Sequence, residues 1–173
     1  MADAQAAKPA GSRLQGKDIV LTWAINAPVK KVWQAWKDPE MIKKWWGPKG
    51  FTAPEIQNDF TLGGQWLYAM HSPEGEDSWS TGQYMEINPM QEIITTFSLA
   101  DKHGHPVSPG YYGLDNTISN EFLLTVKFED NGDKTGLTLR LNGFQAGPDR
   151  DNAEAGWCES IDKLEKAVAA KTG

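Results

Sequence analysis

Two histidines and an aspartate are the closest approach to a metal-ligand set in this sequence. His103 and His105 flank Gly104, and Asp101 stands just before them. A zinc-type site needs a third and usually a fourth ligand, with further groups to orient them. No second cluster of such residues accompanies these histidines in the sequence. The pattern therefore favours a polar turn, and we predict neither a metal nor a cofactor.

Tyr84 and Glu86 are the pair with the clearest potential for acid–base chemistry. They lie two residues apart on a predicted strand, so a regular strand directs both side chains to the same face. On an interior face, Glu86 would bind the polar end of a ligand or serve as a general base. A solvent-facing pair is the interpretation we favour, and His71, at a strand end, is similarly expected to be exposed. We assign no catalytic residue.

The aromatic residues are the main sequence evidence for a binding site. The chain holds 8 Trp, 6 Phe and 4 Tyr, and several alternate along predicted strands so that they share a face. The alternative is that these rings simply fill the core. The predicted cavity-lining residues are Trp66, Tyr68, Met70, Trp79, Tyr84, Glu86, Phe97, Phe122, Leu124, Trp157 and Ile161.

The size of such a cavity is limited by its energy. A dry pocket of ~300 Å³ would cost on the order of 7 kcal/mol, which rivals the whole stability of a domain of ~5–15 kcal/mol. The cavity must therefore be small, hydrated or occupied. We predict that it takes a flat apolar molecule.

Length and charge narrow the class of protein further. The 173 residues suit one domain, which we place at 18–172 after a flexible tail at 1–17. The net charge of −6 argues against nucleic-acid and anionic-membrane partners. The sequence lacks a secretory signal and an apolar run of the ~18 residues that a membrane helix needs. A cytoplasmic location is therefore expected, and the single Cys158 excludes an internal disulfide.

The order of predicted elements indicates an α+β fold. Alternation over 19–25 predicts a strand covered on both faces, and apolar spacing over 29–46 predicts two short helices. A series of strands follows, beginning with 51–60 and ending in a hairpin at Asn131-Gly132. An apolar stripe from Ala153 to Val168 predicts a long C-terminal helix. A strongly curved antiparallel sheet of six to seven strands wrapped around that helix would bury the stripe.

One connection is unusually long. Residues 100–120 carry Tyr111-Tyr112 and lack a strand or helix pattern. Connections of that length are commonly functional. The tyrosines favour a lid over the cavity.

A series of short motifs, in order along residues 18–170, resembles the heat-shock protein 90 ATPase activator homologue family. This family is a branch of the START-like (SRPBCC) helix-grip superfamily. The matching segments are Ala27-Pro28, Val32-Trp33, Ala35-Trp36, Asp38-Pro39-Glu40, Trp45-Trp46-Gly47-Pro48, Gly50-Phe51, Gly63-Gly64, the run from Gly82 to Pro89, Gly156-Trp157 and the run from Ser160 to Leu164.

The resemblance implies a sheet that grips the long helix and leaves a cavity between them. Relatives in the superfamily carry lipids, sterols, hormones or polyketides in that cavity, and some are cyclases. Binding of a hydrophobic or aromatic small molecule is accordingly the leading hypothesis. A stress-response, co-chaperone-like role is the second, with chaperone or homodimer contact through Trp45-Trp46-Gly47-Pro48 or the 100–120 loop. A cyclase- or hydrolase-like enzyme using Glu86, Tyr84 or His71 is the third.

Overall fold

The structure is a computed structural model that describes residues 18–114, 120–143 and 148–169. The predicted tail at 1–17 lies outside the described residues. The strands are β1 (Ile19–Ile25), β2 (Ile56–Asn58), β3 (Gln65–His71), β4 (Asp77–Asn88), β5 (Glu92–Ala100), β6 (Glu121–Asn131) and β7 (Lys134–Leu141). The α-helices are α1 (Val29–Lys37), α2 (Pro39–Trp45) and α3 (Pro148–Ala169), and a short 3-10 helix spans Pro109–Tyr112.

The strands form a single antiparallel sheet in the order β1-β7-β6-β5-β4-β3-β2. Each strand from β2 to β7 pairs with its sequence neighbour, and β1 forms the edge of the sheet next to β7. The 22-residue α3 contributes Ile161, Leu164 and Val168 to the core that the sheet and the short helices share. The predicted α+β helix-grip fold is confirmed.

Helix boundaries follow the local chemistry. Asp38 caps α2, because its carboxylate accepts a hydrogen bond from the Glu40 amide at 3.0 Å. Pro39 occupies the first turn, where its missing N–H costs nothing. The hairpin at Asn131 is also as predicted, with Gly132 in the left-handed region at φ 78°.

Two strand predictions need correction. β1 is covered on one face only, since Thr22 and Ala24 are exposed while Leu21 and Trp23 are buried. The strand predicted at 51–60 is reduced to β2 and an isolated bridge at Thr52. Pro54 explains the interruption, because it has no backbone N–H to donate to a neighbouring strand.

A bulge in β4 reverses the direction of the side chains that follow it. Before the bulge Ser80, Gly82 and Tyr84 face the core, and the pairing with β5 shifts register between Tyr84 and Glu86. A bulge places an extra residue on one strand and breaks the alternation of faces. Met85 and Glu86 are consequently both exposed.

Candidate ligand-binding site

An apolar opening lies between the first half of α3 and one end of the sheet. Its volume is about 180 Å³. We call it the rim pocket. Its lining residues are Trp46, Gly47, Pro48, Met70, Ser78, Trp79, Ser80, Phe97, Leu99, Asn152, Ala153, Gly156, Trp157 and Ser160. Asn152 is exposed and Ala153 partly exposed, so the pocket opens to solvent along α3.

Three aromatic side chains give the rim pocket its shape. Trp46 stacks on Phe97 with ring centroids 6.1 Å apart, and Trp157 meets Trp46 edge-on at 5.4 Å. Offset stacks and edge-to-face pairs are the favoured arrangements of aromatic rings. The indole of Trp46 is 6% exposed, so its position is determined by packing.

Glycines allow the loop after α2 to approach both α3 and the sheet. Gly47 has φ 98°, and a Cβ there would come within 3.1 Å of the Phe51 Cβ and 3.3 Å of the Met70 Sδ. A Cβ on Gly156 of α3 would lie 3.3 Å from the Pro48 Cγ. The loop therefore approaches the helix closely because both positions are glycine.

Two side chains of α3 hold this loop in place. The Lys163 ammonium donates to the carbonyl oxygens of Pro48 and Phe51, each at 3.2 Å. One turn earlier, the Glu159 carboxylate accepts a hydrogen bond from the Lys49 amide at 3.0 Å. Partial burial lowers the pKa of Lys163, and the nearby Glu159 charge opposes that shift. The pocket wall formed by Gly47 and Pro48 thus depends on α3 for its position.

The substitution Lys163→Met is expected to loosen this wall. It keeps the apolar stem of the side chain but removes the donor to both carbonyls, and hydrogen bonds from charged groups are each worth about 1.5–3 kcal/mol. Because the site is partly solvated, we expect a loss of about 1–2 kcal/mol in the free energy of unfolding. Amide hydrogen exchange at Phe51, whose N–H bonds the Pro48 carbonyl, should accelerate.

Lys166→Met is the matched control, because Lys166 is exposed on the same helix. Unchanged exchange at Phe51 in Lys163→Met, with stability equal to that of the control, would contradict a positioning role for Lys163.

A second, much smaller space lies deeper in the core. It measures about 20 Å³, which is room for about one water molecule. Its lining residues are Trp36, Ile42, Trp45, Trp46, Trp66, Tyr68, Tyr84, Ile93, Thr95, Leu124 and Val126. Trp46 lines both spaces, so its indole is the wall between them.

Two polar groups that line the inner space are hydrogen-bonded, whereas the buried indole N–H of Trp36 has no partner. The Tyr84 hydroxyl donates to the Asn58 side chain at 2.5 Å, and the Trp66 indole N–H donates to the Thr95 hydroxyl at 2.8 Å. Burial raises the pKa of Tyr84 to about 12. Burial also raises the pKa of Tyr68 well above its usual value, and the neighbouring Tyr84 adds to that shift. Both phenols therefore stay neutral at physiological pH.

The predicted site residues divide between these regions. The rim pocket brings together Met70, Trp79, Phe97 and Trp157, whereas the inner space is lined by Trp66, Tyr68, Tyr84 and Leu124. Phe122 and Ile161 are buried in the core and line neither space. The open cavity is at the rim of the helix–sheet interface because aromatic rings fill the centre.

Glu86 is the predicted site residue that lies on the surface, away from both spaces. The β4 bulge places Glu86 on the surface while Tyr84 stays buried, so the two do not share a face, and both the favoured solvent-facing pair and the inward alternative are wrong. The chaperone or homodimer contact considered for Trp45-Trp46-Gly47-Pro48 stays a prediction, but the two indoles of this segment are not on the surface. Trp45 is 0% and Trp46 6% exposed, because both indoles pack into the core.

The histidines lie at the polar surface, His103 and His105 in a turn and His71 at the end of β3. The Asp101 carboxylate accepts hydrogen bonds from the His103 and His105 amides at 2.8 and 3.0 Å, which makes the predicted turn. His71 is paired with Asp77 at 2.6 Å near the surface. Across the residues that the structure describes, no group of three or more His, Cys, Asp or Glu could hold a metal ion.

The long connection after β5 is tied to the sheet in its first half. The Tyr112 hydroxyl donates to the Ala100 carbonyl and accepts from the Trp79 amide at 3.1 Å. Residues 115–119 lie outside the described part. Residues 101–114 line neither space, and the lid hypothesis for 100–120 stays a prediction.

Sequence reasoning missed the small residues of the rim pocket. Ala153, Gly156 and Ser160 lie at spacings of three and four on α3, and so share one helix face. A run of small residues at that spacing, inside an otherwise bulky apolar stripe, is a sequence signal for the α3 wall of the opening.

An open antiparallel sheet packed on a long C-terminal helix, with an apolar pocket at their interface, defines a helix-grip protein of the START-like class. The chain belongs to the family described as activator of Hsp90 ATPase homolog 1-like protein, whose sequence profile matches residues 26–169. No curated protein matches the sequence. None of the helices within the described ranges is both long and apolar enough to cross a membrane.

Solved structures show the same fold. The chain is similar to a protein from Arthrobacter aurescens, with TM-score 0.75 and 24% identity over 90% of this chain and 88% of the other. It is also similar to a protein from Mycobacterium smegmatis, with TM-score 0.73 and 20% identity over 96% and 97%. A third similar structure is an AHSA1 protein from Silicibacter pomeroyi, with TM-score 0.70 and 23% identity over 89% and 99%.

Proposed function

We propose that the protein binds a small apolar or aromatic molecule in the rim pocket. The observation that carries this proposal is an opening of about 180 Å³ walled by Trp46, Phe97 and Trp157. Ligand sites are typically concave and apolar, with a few polar groups that orient the ligand. The rim pocket has this composition.

The volume restricts the ligand to about one aromatic ring. Typical sites for drug-sized ligands measure ~300–1,000 Å³, whereas an apolar cavity of ~150 Å³ is known to take benzene. At about 180 Å³ the rim pocket matches the second case. The stacked and edge-on rings of its walls would offer a flat ligand both kinds of aromatic contact.

Binding is supported over catalysis by the chemistry of the lining. None of the described lining residues carries an acidic, basic or thiol side chain, and general acid–base catalysis needs such a group near the substrate. Of the three residues considered for an enzyme, Glu86 and His71 are exposed outside the rim pocket, and Tyr84 lines the inner space.

Filling the rim pocket from α3 tests the proposal. Ala153→Leu adds an isobutyl group in place of a methyl group at the lining, and we expect loss of saturable toluene binding, measured by NMR line shifts of the Trp46 and Trp157 indole N–H groups. The matched control is Ala155→Leu, which adds the same group on the exposed face of the same helix.

The control should bind toluene as the unsubstituted protein does. Absence of saturable binding to the unsubstituted protein, across toluene and other single-ring compounds, would end the proposal. Equal binding by Ala153→Leu and Ala155→Leu would place any ligand outside the rim pocket.

A further inference from the structure

Two buried serines face the rim pocket from opposite walls. Ser80 lies on the inner face of β4 and is 6% exposed, and Ser160 lies on α3 and is 5% exposed. Both line the pocket. Neither hydroxyl takes part in any hydrogen bond of the described structure. The buried hydroxyls of Thr95 and Thr135, in contrast, each donate to a backbone carbonyl.

The buried side-chain atoms without a partner in the described residues are the indole nitrogens of Trp23 and Trp36, so both serine hydroxyls are reached from the open pocket. Most buried side-chain polar atoms have at least one hydrogen-bond partner in the protein or in water. A ligand that displaces water from these hydroxyls without replacing its hydrogen bonds leaves them unsatisfied, which is unfavourable by about 1–3 kcal/mol. Serine can both donate and accept, so either a hydroxyl or a carbonyl oxygen on a ligand would satisfy it.

The remaining lining opposes a charged ligand. Every lining residue of the described structure has an uncharged side chain. A carboxylate or ammonium entering such a site loses its hydration without gaining an opposite charge. The Lys163 ammonium is engaged with the Pro48 and Phe51 carbonyls and does not line the pocket.

We infer that the rim pocket selects an uncharged single-ring aromatic compound with a hydroxyl or carbonyl group, which hydrogen-bonds Ser80 and Ser160. This inference rests on the proposed function, since it specifies the ligand of the same site. The rings of Trp46, Phe97 and Trp157 hold the aromatic part, and the serines orient the polar end.

Three probes of similar size separate the contributions of the ring, the hydroxyl group and the charge to binding. Toluene supplies the ring alone, phenol replaces its methyl group by a hydroxyl, and benzoate carries a negative charge at neutral pH. We expect phenol to bind at least as tightly as toluene, although phenol loses more hydration on entering the pocket. Benzoate should bind more weakly than phenol by roughly tenfold or more.

Serine substitutions test the hydrogen bonds directly. In a protein carrying Ser80→Ala and Ser160→Ala, phenol affinity should fall by roughly tenfold, while toluene affinity should stay within about twofold. Ser98→Ala is the matched control, because Ser98 is a buried strand serine, 4% exposed, that does not line the pocket. It should change neither affinity. The single variants provide the same readout if the double variant does not fold.

The outcomes distinguish the two proposals. If neither toluene nor phenol binds, the proposed function fails. If toluene binds but phenol affinity does not respond to the serine substitutions, or if benzoate binds as tightly as phenol, the rim pocket still binds ligands and the inference drawn here is overturned.

Discussion

The substitution Trp46→Ala is expected to lower the free energy of unfolding by about 3–5 kcal/mol, the usual range for removing a buried tryptophan. Its indole contacts the rings of Trp45, Tyr68, Phe97 and Trp157 at centroid distances of 5.7, 4.8, 6.1 and 5.4 Å. These side chains come from α2, the sheet and α3. Truncation therefore removes aromatic contacts in several directions and leaves a cavity that a rigid surrounding core cannot fill.

Urea unfolding followed by circular dichroism would measure this effect. The melting temperature should fall by about 6–20 °C, at ~2–4 °C per kcal/mol for a domain of this size. Leu62→Ala serves as the control, because Leu62 is 72% exposed and surface substitutions change stability by only about 0.5 kcal/mol. A loss below ~1 kcal/mol for Trp46→Ala would mean that the indole is not packed as described.

The same substitution should also change the ligand size that the protein accepts. Trp46 separates the rim pocket from the inner space. Its removal would connect them, and two-ring compounds that the unsubstituted protein excludes should then bind to the folded fraction.

Raising the pH from 10 to 12 is expected to destabilise the protein through Tyr84 and Tyr68. In the unfolded chain a tyrosine loses its proton near pH 10, whereas the pKa of Tyr84 in the folded protein is about 12 and that of Tyr68 is also raised. The folded state therefore binds more protons than the unfolded state in this window, and stability falls as the pH rises. Tyr84 alone accounts for a loss of about 2–3 kcal/mol.

Free energies of unfolding measured at intervals between pH 9 and 12 would test this dependence. Tyr84→Phe keeps the ring against Phe60, 5.1 Å away, but removes the ionisable group. Between the pKa of Tyr84 in the unfolded chain and its pKa in the folded protein, the loss of stability per pH unit should be about 1.4 kcal/mol smaller for Tyr84→Phe than for the unsubstituted protein. The lowered pKa of Lys163 makes stability rise with pH, but this contribution is the same in Tyr84→Phe and in the unsubstituted protein. Equal slopes for Tyr84→Phe and the unsubstituted protein would contradict the assignment to Tyr84.

Most of the fold could be predicted from the sequence because its elements carry strong local signals. The alternation of Ile19, Leu21 and Trp23 marks β1, and the apolar stripe on α3 requires a cover that only the sheet can supply. Predictions failed where one residue interrupts a pattern. Pro54 shortens the strand expected at 51–60, and the bulge before Glu86 breaks an alternation that reads as regular in the sequence.

The site was less predictable than the fold. Met70, Trp79, Phe97 and Trp157, all on the predicted list, line the rim pocket. Tyr84, also on the predicted list, lines the filled centre instead. Large apolar residues have the same sequence signature in a core and in a cavity wall, because both environments require burial. The distinction depends on how completely neighbouring rings fill the space.

The sequence by itself determined most of the secondary structure, the residues of the hydrophobic core and the aromatic character of the interior, since each of these depends on residue type and spacing. Only the tertiary structure decided where the interior remains open. Trp46 closes the centre, whereas small side chains at Ala153 and Gly156 leave room at the rim. The reason is physical: a cavity is the volume that side chains from distant segments leave unfilled, and no local pattern along one segment specifies that difference.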